Sequence, residues 1–301
     1  MKSIARIRPR ITIVTPVFNQ VSFIEETINS VLGQNYSNLE YIIIDGGSTD
    51  GTVEIIKRYQ DYLHYWISEP DNGMYDALNK GFEKSSGEIM GYINSDDILL
   101  PNALMTVAKI FHDNENIQWI HGLNTFLNEG STIVHTQPAK RFSLLRYLMG
   151  DYEYIQQESC LWRKNLWEQA GGKFNSSLKL AGDFELWFRF FQFSTLYHCS
   201  IPIGGWRKRK DQLSALGLAS YLSECNQIIS NFRLNEDQVS QLNRVKNLKK
   251  IIRLLYKLKI FNSRYFEKKL YKAYNLQNTD LRYVDEIDRF IITDLNKFTS
   301  F

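Results

Sequence analysis

The 301-residue sequence is poor in cysteine, carries little net charge and lacks a long apolar run. Its three cysteines, Cys160, Cys199 and Cys225, are widely spaced and show no paired spacing of the kind that holds zinc, so they indicate free thiols in a reducing compartment. No apolar run approaches the length of a membrane-spanning helix. The net charge of +3 and the lack of a nucleic-acid-binding motif argue against a nucleic acid as partner.

No domain-scale repeat or low-complexity tract interrupts the chain. Its 44% of hydrophobic residues suffice for the core of one large α/β domain with an appendage. The segment Met1–Arg10 is basic, but the apolar stretch after it ends at Asn19. That stretch is short for a secretory signal and favours a first strand. We therefore expect a cytoplasmic protein.

Strands and helices are predicted to alternate in the N-terminal part of the chain. Apolar runs predict four strands at Ile11–Thr15, Tyr41–Ile44, Tyr65–Ser68 and Glu88–Ile93. Three helices are predicted between them: one opened by a capping box at Ser22 and Glu25, then Thr52–Tyr59 capped by Asp50, then Met74–Glu83. In such a βαβαβαβ sheet, ligands bind beyond the carboxyl ends of the strands.

The fourth strand leads into Asn94-Ser95-Asp96-Asp97 and then into a helix predicted at Asn102–Phe111. Asp96 and Asp97 offer hard oxygen ligands of the kind that Mg²⁺ or Mn²⁺ takes. The alternative is that Ser95, Asp96 and Asp97 only form a turn and cap the following helix.

Five segments together resemble the nucleotide-sugar domain of family 2 glycosyltransferases over roughly residues 10 to 215. The matching segments are Thr15–Asn19, Ile43–Thr52, Asp71–Gly81, Asn94–Asp97 and Ala181–Arg189. The resemblance implies an A-type glycosyltransferase fold of the α/β class, with a Rossmann-like, mixed but mainly parallel sheet flanked by helices. It also implies an inverting transferase of the kind that builds bacterial surface polysaccharides.

The resemblance assigns roles to residues of each segment. Asp183 matches the aspartate that removes the proton from the acceptor hydroxyl, and Asp45 matches a residue that hydrogen-bonds the nucleotide base or ribose. Further donor contacts are expected at the strand ends, from Thr15, Pro16, Asn19, Asp71, Gly73 and Ser95. For Asp71 a helix-capping role stays open.

A divalent cation, Mn²⁺ or Mg²⁺, is the cofactor that the resemblance implies. Asp96 matches the last acid of the family's Asp-x-Asp motif, whereas Asn94 departs from it at the first position. Asp97 is either a second ligand or a helix cap. The loop Gly204–Ser214 resembles a family loop at Arg207, Gln212 and Ser214, but Arg209 stands where the family usually has histidine. An arginine cannot ligate a metal, yet it can bind the donor diphosphate, as we also expect of Arg207.

The acceptor side is less defined in the sequence. Gln156, Gln157 and Glu158 correspond to a family region near the acceptor, and Trp187 is either a core residue or part of the pocket wall. Tyr154, Trp162 and Trp167 are either sugar-stacking or core aromatics. For Glu185 we favour a solvated helix face.

The pattern changes after residue 214, and we predict a transferase domain at 1–214 and a basic helical extension at 215–301. From Arg244 to Lys272, eleven bases and one acid, Glu267, are interleaved with apolar residues. Such a stretch can lie on an anionic membrane. It can also pack on the catalytic domain or on another subunit, and the sequence gives no oligomeric state.

We therefore predict that the protein moves a sugar from a nucleotide-diphosphate donor to a glycan or lipid-linked acceptor, and a uridine-diphosphate sugar is the donor that we expect. Two alternatives remain: a sugar-phosphate nucleotidyltransferase, and a degenerate transferase that acts as a membrane scaffold. The first would need a glycine-rich basic loop after the first strand, and the second conflicts with the retention of Asp45, Asp96 and Asp183. A dehydrogenase fits worse, because no Gly-x-Gly-x-x-Gly motif follows the first strand.

Overall fold

The computed structural model describes residues 8–209, 217–258, 263–277 and 279–293. The strands are β1 (Ile11–Val17), β2 (Leu39–Asp45), β3 (Tyr65–Ser68), β4 (Ile89–Tyr92), β5 (Ile98–Leu99), β6 (Trp119–His121), β7 (Asn124–Leu127), β8 (Ile133–Gln137), β9 (Cys160–Arg163), β10 (Tyr197–Cys199), β11 (Gly204–Arg207), β12 (Asp280–Val284) and β13 (Arg289–Thr293). The α-helices are α1 (Ile24–Leu32), α2 (Thr52–Arg58), α3 (Met74–Glu83), α4 (Ala103–Asp113), α5 (Leu144–Leu148), α6 (Lys164–Gln169), α7 (Gly182–Phe193), α8 (Leu218–Ser230), α9 (Glu236–Lys257) and α10 (Ser263–Ala273).

A nine-stranded sheet in the order β13-β12-β10-β6-β9-β4-β1-β2-β3 organises the molecule. β1 pairs in parallel with β2 and β4, and β2 pairs in parallel with β3. β9 is antiparallel to both β4 and β6, which makes the sheet mixed. The α/β fold with a mainly parallel sheet is confirmed, and the carboxyl ends of β1, β2 and β4 lie side by side.

Two apolar layers cover the central sheet, because successive residues of a strand face opposite sides. Ile42 and Ile44 of β2 pack in one layer with Trp119, Trp162 and the side chains of α3 and α7. Ile43 packs in the other layer with the side chains of α1 and α4. Both faces of β2 are therefore buried, as its continuous apolar run predicts.

A smaller sheet, β5-β11-β7-β8, lies next to the end of β4. Its strand β11 pairs antiparallel with β5 at Gly204 and Leu99, and in parallel with β7. This pairing brings residues 204–209 beside residues 94–97, which are more than one hundred positions away in the sequence.

The segment after residue 217 is not wholly helical, which corrects the prediction for 215–301. Strands β12 and β13 extend the central sheet through β10. Helix α8 adds Tyr221 and Cys225 to the same apolar layer as α7. Helices α9 and α10 pack with α5 in a smaller cluster. The predicted boundary at 214, and residues Gln212 and Ser214, lie outside the described residues.

Two predicted N-caps are wrong, and the alternative that Asp97 or its neighbours cap α4 is not observed, although α2 begins at Thr52 and α3 spans Met74–Glu83 as predicted. Helix α1 has Phe23 at its N-cap and no capping side chain, so Ser22 and Glu25 form no capping box. Gly51, not Asp50, is the N-cap of α2, although the Asp50 carboxylate accepts hydrogen bonds from the Thr52 and Val21 amides. Helix α4 has Asn102 as its N-cap, so neither Asp97 nor its neighbours cap it.

Candidate active site

The loops after β1 and β2 are hydrogen-bonded to each other at the carboxyl edge of the sheet. The Asn19 amide donates to Ser48 Oγ at 2.7 Å, and the Asn19 side-chain oxygen accepts from the Thr49 amide at 3.0 Å. Asn19 has a positive φ of 50°, which asparagine tolerates better than most residues. The neighbouring ring of Phe18 is 59% exposed at this edge, a feature that the sequence reasoning missed.

Asp45 organises these loops from within. It is fully buried, and its carboxylate accepts hydrogen bonds from the Gly47 and Ser48 amides and from the Ser48 and Ser68 hydroxyls. The predicted neighbour Thr15 is also buried and lies 3.1 Å from the Tyr41 hydroxyl, while Pro16 pairs with Ile44 in the sheet. These residues lie in the strands, beneath the loops of the carboxyl edge.

Asp71 and Gly73 lie at the start of α3, next to the same loops. The Asp71 carboxylate accepts a hydrogen bond from the Gly73 amide at 2.8 Å and packs against Gly46, where an added Cβ would lie 2.7 Å from it. Gly73 has a φ of 108° and is the N-cap of α3. The N-terminus of α3, whose dipole favours a negative charge, therefore lies at this edge.

Asp96 forms an ion pair with Arg209 at the end of β4. The Asp96 Oδ2 atom lies 2.8 Å from Arg209 Nη2, and the two side chains are 13% and 12% exposed. Burial raises the pKa of Asp96, and the charge of Arg209 partly offsets this. The ion pair spans 113 positions and joins the predicted diphosphate-binding arginine to the predicted metal ligand.

Arg207 lies in the interior and not at the surface where a donor contact was predicted. Its side chain is fully buried, its Nη2 lies 2.7 Å from the Glu26 carboxylate, and its Nε donates to the Asp96 carbonyl at 2.6 Å. Its backbone amide donates to Asp97 Oδ1 at 2.9 Å. Arg207 therefore clamps α1 and β11 to the end of β4, with Glu26 as a partner that the sequence did not indicate.

Asp97, Gln157 and Glu158 lie in the interior behind Asp96. Asp97 Oδ2 accepts a hydrogen bond from Gln157 Nε2 at 3.3 Å. Burial raises the pKa of Asp97 well above its ordinary range, and the charge of Asp96 adds to the effect. Burial also raises the pKa of Glu158 to about 8. Ser95 is buried beside them, so this group supports the site from below.

The described residues do not fit a preformed divalent-cation site. Asp96 is paired with Arg209, and both oxygens of Asp97 already accept N–H groups. No three His, Cys, Asp or Glu side chains in the described ranges are grouped so that they could hold a metal ion. Among the described residues, the side-chain oxygen of Asn94 is buried without a hydrogen-bond partner.

Asp183 lies in the first turn of α7, half-buried. Burial raises the pKa of its carboxyl to about 6, although a hydrogen bond from the Phe184 amide at 2.8 Å favours the charged form. The Tyr75 ring packs against Gly182, where any Cβ would come within 2.6 Å of the ring. Because Tyr75 follows Gly73 by two positions, α3 connects Asp183 to the loops of the carboxyl edge.

Glu224 holds the chain just before Asp183 and was not singled out in the sequence. Its carboxylate accepts hydrogen bonds from the amides of Lys179, Leu180 and Ala181 at 3.0, 3.0 and 2.8 Å. Its charge also raises the pKa of Asp183, as a smaller effect than burial. No local signal could have found Glu224, since α8 meets this turn only in the folded chain.

The remaining predicted residues have mostly structural positions. Trp187 is 1% exposed and stacks on Trp119 in the core, so its packing leaves no surface for an acceptor. Trp162 and Trp167 are core residues in the same layer, whereas Tyr154 is 40% exposed and lies against Tyr221. Glu185 does not lie on a solvated face: both its oxygens are 2.8 Å from the Arg189 guanidinium.

The family model described as Glycosyl transferase family 2 matches residues 12–166, which include β1 to β4 and the Asp96 strand end. The chain belongs to this family. The chain is 29% identical over 194 residues to an uncharacterized glycosyltransferase of Rickettsia prowazekii. The matched region covers 63% of this chain and 61% of that protein. A shorter match over 90 residues is 38% identical to an uncharacterized glycosyltransferase of Mycobacterium tuberculosis and covers 30% of the chain and 34% of that protein.

Solved glycosyltransferases share the A-type fold. S. aureus TarS 1-349, solved in complex with UDP, is similar with a TM-score of 0.60 at 16% identity, over 95% of this chain and 96% of that one. Mannosyltransferase PcManGT from Pyrobaculum calidifontis, solved with GDP-Man and Mn²⁺, is similar with a TM-score of 0.60 at 18% identity. The similarity covers 90% of this chain and 81% of that one. The chain thus has the A-type fold that its sequence predicts.

Proposed function

We propose that this glycosyltransferase moves a sugar from a nucleoside-diphosphate donor to a hydroxyl group of the acceptor, with inversion at the anomeric carbon. Asp183 carries the proposal. A half-buried carboxylate with a pKa of about 6 is mostly deprotonated at neutral pH and still basic enough to accept a proton. As the acceptor oxygen attacks the anomeric carbon, its proton passes to Asp183 and the bond from that carbon to the diphosphate oxygen breaks.

The donor is proposed to lie along the carboxyl edge of β1, β2 and β4. Asn19 and the exposed ring of Phe18 would contact the nucleoside, and the first-turn amides of α3 after Gly73 would face phosphate oxygens. A uridine-diphosphate sugar is our first candidate, because the Asp45 carboxylate can accept from the uracil N–H if the Ser48 hydroxyl turns away. The TarS and mannosyltransferase complexes contain UDP and GDP-Man, so both base types need testing.

A panel of UDP- and GDP-sugars tests the proposal. The correct donor should raise the melting temperature and should be hydrolysed slowly without acceptor, whereas free sugars should do neither. Asp183→Asn should keep the thermal protection and lose the turnover. If no nucleotide sugar protects the protein or is turned over, the proposed function is wrong.

The acceptor is proposed to be a lipid-linked glycan at an anionic membrane surface. At the C-terminal end of α9, Ile251, Leu254 and the C-cap residue Leu258 are 52%, 58% and 56% exposed and share one helical face. The exposed bases Lys250, Arg253 and Lys257 lie on the adjoining face. This arrangement suits a helix lying in a lipid headgroup layer. Within the described ranges, no helix combines the length and the apolar character needed to cross a bilayer.

Vesicle co-sedimentation tests the membrane surface. Each base contributes roughly 1 kcal/mol at an anionic surface, so changing Lys250, Arg253 and Lys257 to Glu should weaken binding at least about 10²-fold at low salt. Lys249 is left in place, because its ammonium lies over the Tyr274 ring at 5.5 Å. The matched control changes the exposed bases Lys57, Arg58 and Lys173 to Glu. Equal loss in both variants, or no binding by the wild-type protein, would contradict the proposal.

A further inference from the structure

The guanidinium of Arg209 is fixed from three directions at the end of β4. Its Nη2 pairs with Asp96 Oδ2 at 2.8 Å, and its Nη1 donates to Gln20 Oε1 at 3.3 Å. The plane lies over the Phe23 ring, 4.8 Å from the centroid. Gln20 is itself anchored through its amide to Thr52 Oγ1 at 2.9 Å. Arg209 therefore joins the β1 loop, α1 and the Asp96 carboxylate in one rigid arrangement.

This arrangement competes with a divalent cation for Asp96. A cation would have to bind Asp96 at about 2.0 to 2.2 Å, the usual distance for Mg²⁺ and similar ions. It would then lie only a few ångströms from a guanidinium that is always charged. Both side chains are almost enclosed, so solvent screens that repulsion poorly. Arg207, whose Nε donates to the Asp96 carbonyl, adds a second positive charge to the same strand end.

We propose that Arg209 takes the place of a divalent cation in this enzyme, by closing Asp96 to metal and by supplying the positive charge that the leaving diphosphate needs. This rests on the proposed function. The planar guanidinium can keep Asp96 on Nη2 while Nη1 exchanges the Gln20 oxygen, 3.3 Å away, for a phosphate oxygen. As the bond from the anomeric carbon to the diphosphate oxygen breaks, the electron pair remains on that oxygen beside Arg209. No proton leaves Arg209, since an arginine guanidinium is not deprotonated in proteins.

Mn²⁺ binding to the protein alone tests the closure of Asp96, without any nucleotide or turnover. Electron paramagnetic resonance would count free Mn²⁺ in titrations of the wild type, Arg209→His and the control Arg58→His. Arg58 is a surface arginine paired with Glu25 at 3.3 Å. We expect the wild type and the control to show the same weak binding. Arg209→His should bind Mn²⁺ at least tenfold more tightly. Tight Mn²⁺ binding by the wild type would overturn the proposal.

Calorimetric titration with UDP and GDP tests whether Arg209 supplies positive charge to the diphosphate. In the wild type, replacing Mn²⁺ by EDTA should change the dissociation constant by less than about threefold. Arg209→His should bind about 10-fold to 100-fold more weakly in EDTA and should recover with Mn²⁺, because a charge-assisted bidentate contact is lost and then replaced. Arg209→Lys keeps the charge and should lie between them, with no gain in Mn²⁺ binding.

The outcomes separate this inference from the proposed function. Wild-type nucleotide binding that needs Mn²⁺ would overturn the inference while leaving the transferase assignment intact. If neither nucleotide binds under any condition, the proposed donor site is wrong and the charge role of Arg209 fails with it. Thermal unfolding of each variant, with Arg209→Lys as the conservative change, shows whether a loss reflects misfolding.

Discussion

Asp183 at the start of α7 and the two histidines of β6 and β10 are titratable side chains with different surroundings. Asp183 is half-buried at the start of α7, with the Phe184 amide and Tyr75 beside it, and burial raises its pKa to about 6. His121 and His198, in register on β6 and β10, are fully enclosed with ring centroids 5.8 Å apart. Burial lowers the pKa of His121 to about 3 and lowers that of His198 well below its usual range.

The comparison separates burial from reactivity. A shifted pKa at Asp183 coincides with partial exposure and with donors that stabilise the charged form, so the carboxylate can exchange a proton with a substrate. In the part of the chain that the structure describes, the buried ring nitrogens of both histidines have no hydrogen-bond partner of normal geometry. Their imidazoles stay neutral across the physiological range and act as core residues. We therefore expect changes at Asp183 to affect rate and changes at the histidines to affect stability.

Replacing Asp183 gives the largest expected effect. Asp183→Asn keeps the size of the side chain but cannot accept the proton, so turnover should fall on the order of 10²-fold to 10⁴-fold. Donor affinity should change by less than about twofold, because the substitution leaves the contacts that bind the donor in its ground state in place. Steady-state kinetics and donor titration measure the two quantities. Lost donor affinity with near-normal turnover at saturation would place Asp183 in the donor site instead.

Removing Glu224 should lower the rate less, through the position of the turn before α7. Glu224→Ala removes the acceptor of three amides, and we expect turnover to fall roughly 10-fold to 100-fold. Glu224→Gln keeps an acceptor oxygen and should recover much of the rate. The exposed Glu54→Ala serves as a control. Because the Glu224 charge raises the pKa of Asp183, both variants should also shift the acid limb of the pH profile to lower pH. An unshifted acid limb would leave Glu224 a purely structural role.

The pH dependence of the wild type follows from Asp183 itself. The proton acceptor must be deprotonated, so kcat/KM should fall about tenfold per pH unit below about 6 and level off above it. Rates measured from pH 4.5 to 8, with unfolding monitored at each pH, test this. A limb near the ordinary aspartate pKa would indicate that the open site is more hydrated than its packing suggests.

The histidine pair gives the smallest effect, and only in stability. Because the folded state holds His121 neutral, its contribution is fully present above the ordinary histidine pKa of about 6.5 and is lost as the pH falls below it, by about 1.4 kcal/mol per pH unit. Asp97 and Glu158, whose folded pKa is raised, act in the opposite direction. The histidine effect is therefore measured as the difference in unfolding free energy between the wild type and a histidine variant.

Urea unfolding of the wild type and of His121→Asn between pH 5 and 8 isolates that difference. The slope of the unfolding free energy against pH should differ by about 1.4 kcal/mol per pH unit below pH 6.5. Turnover of the folded variant at neutral pH should match the wild type. Parallel slopes would show that His121 is hydrated or protonated in the folded protein.

The first four strands and the positions of their polar ends follow from the sequence, because a continuous apolar run such as Tyr41–Ile44 can be satisfied only between two covered faces. The parallel order then brings Asn19, Asp45 and Asp96 to one edge. The resemblance of Ala181–Arg189 to the family's acidic helix singles out Asp183. These features rest on local periodicity and on motifs that lie within a few residues of each other.

Tertiary structure alone decided what each polar group does at that edge. Arg207 and Arg209 are two positions apart, yet β11 pairing encloses the first with Glu26 and places the second against Asp96. Glu224 reaches the turn before Asp183 only because α8 packs on α7, and β12 and β13 join a sheet that the basic helical pattern did not indicate. The reason is physical: ion pairs and sheet edges are completed by partners far away in sequence, and no local pattern records which partner is nearest.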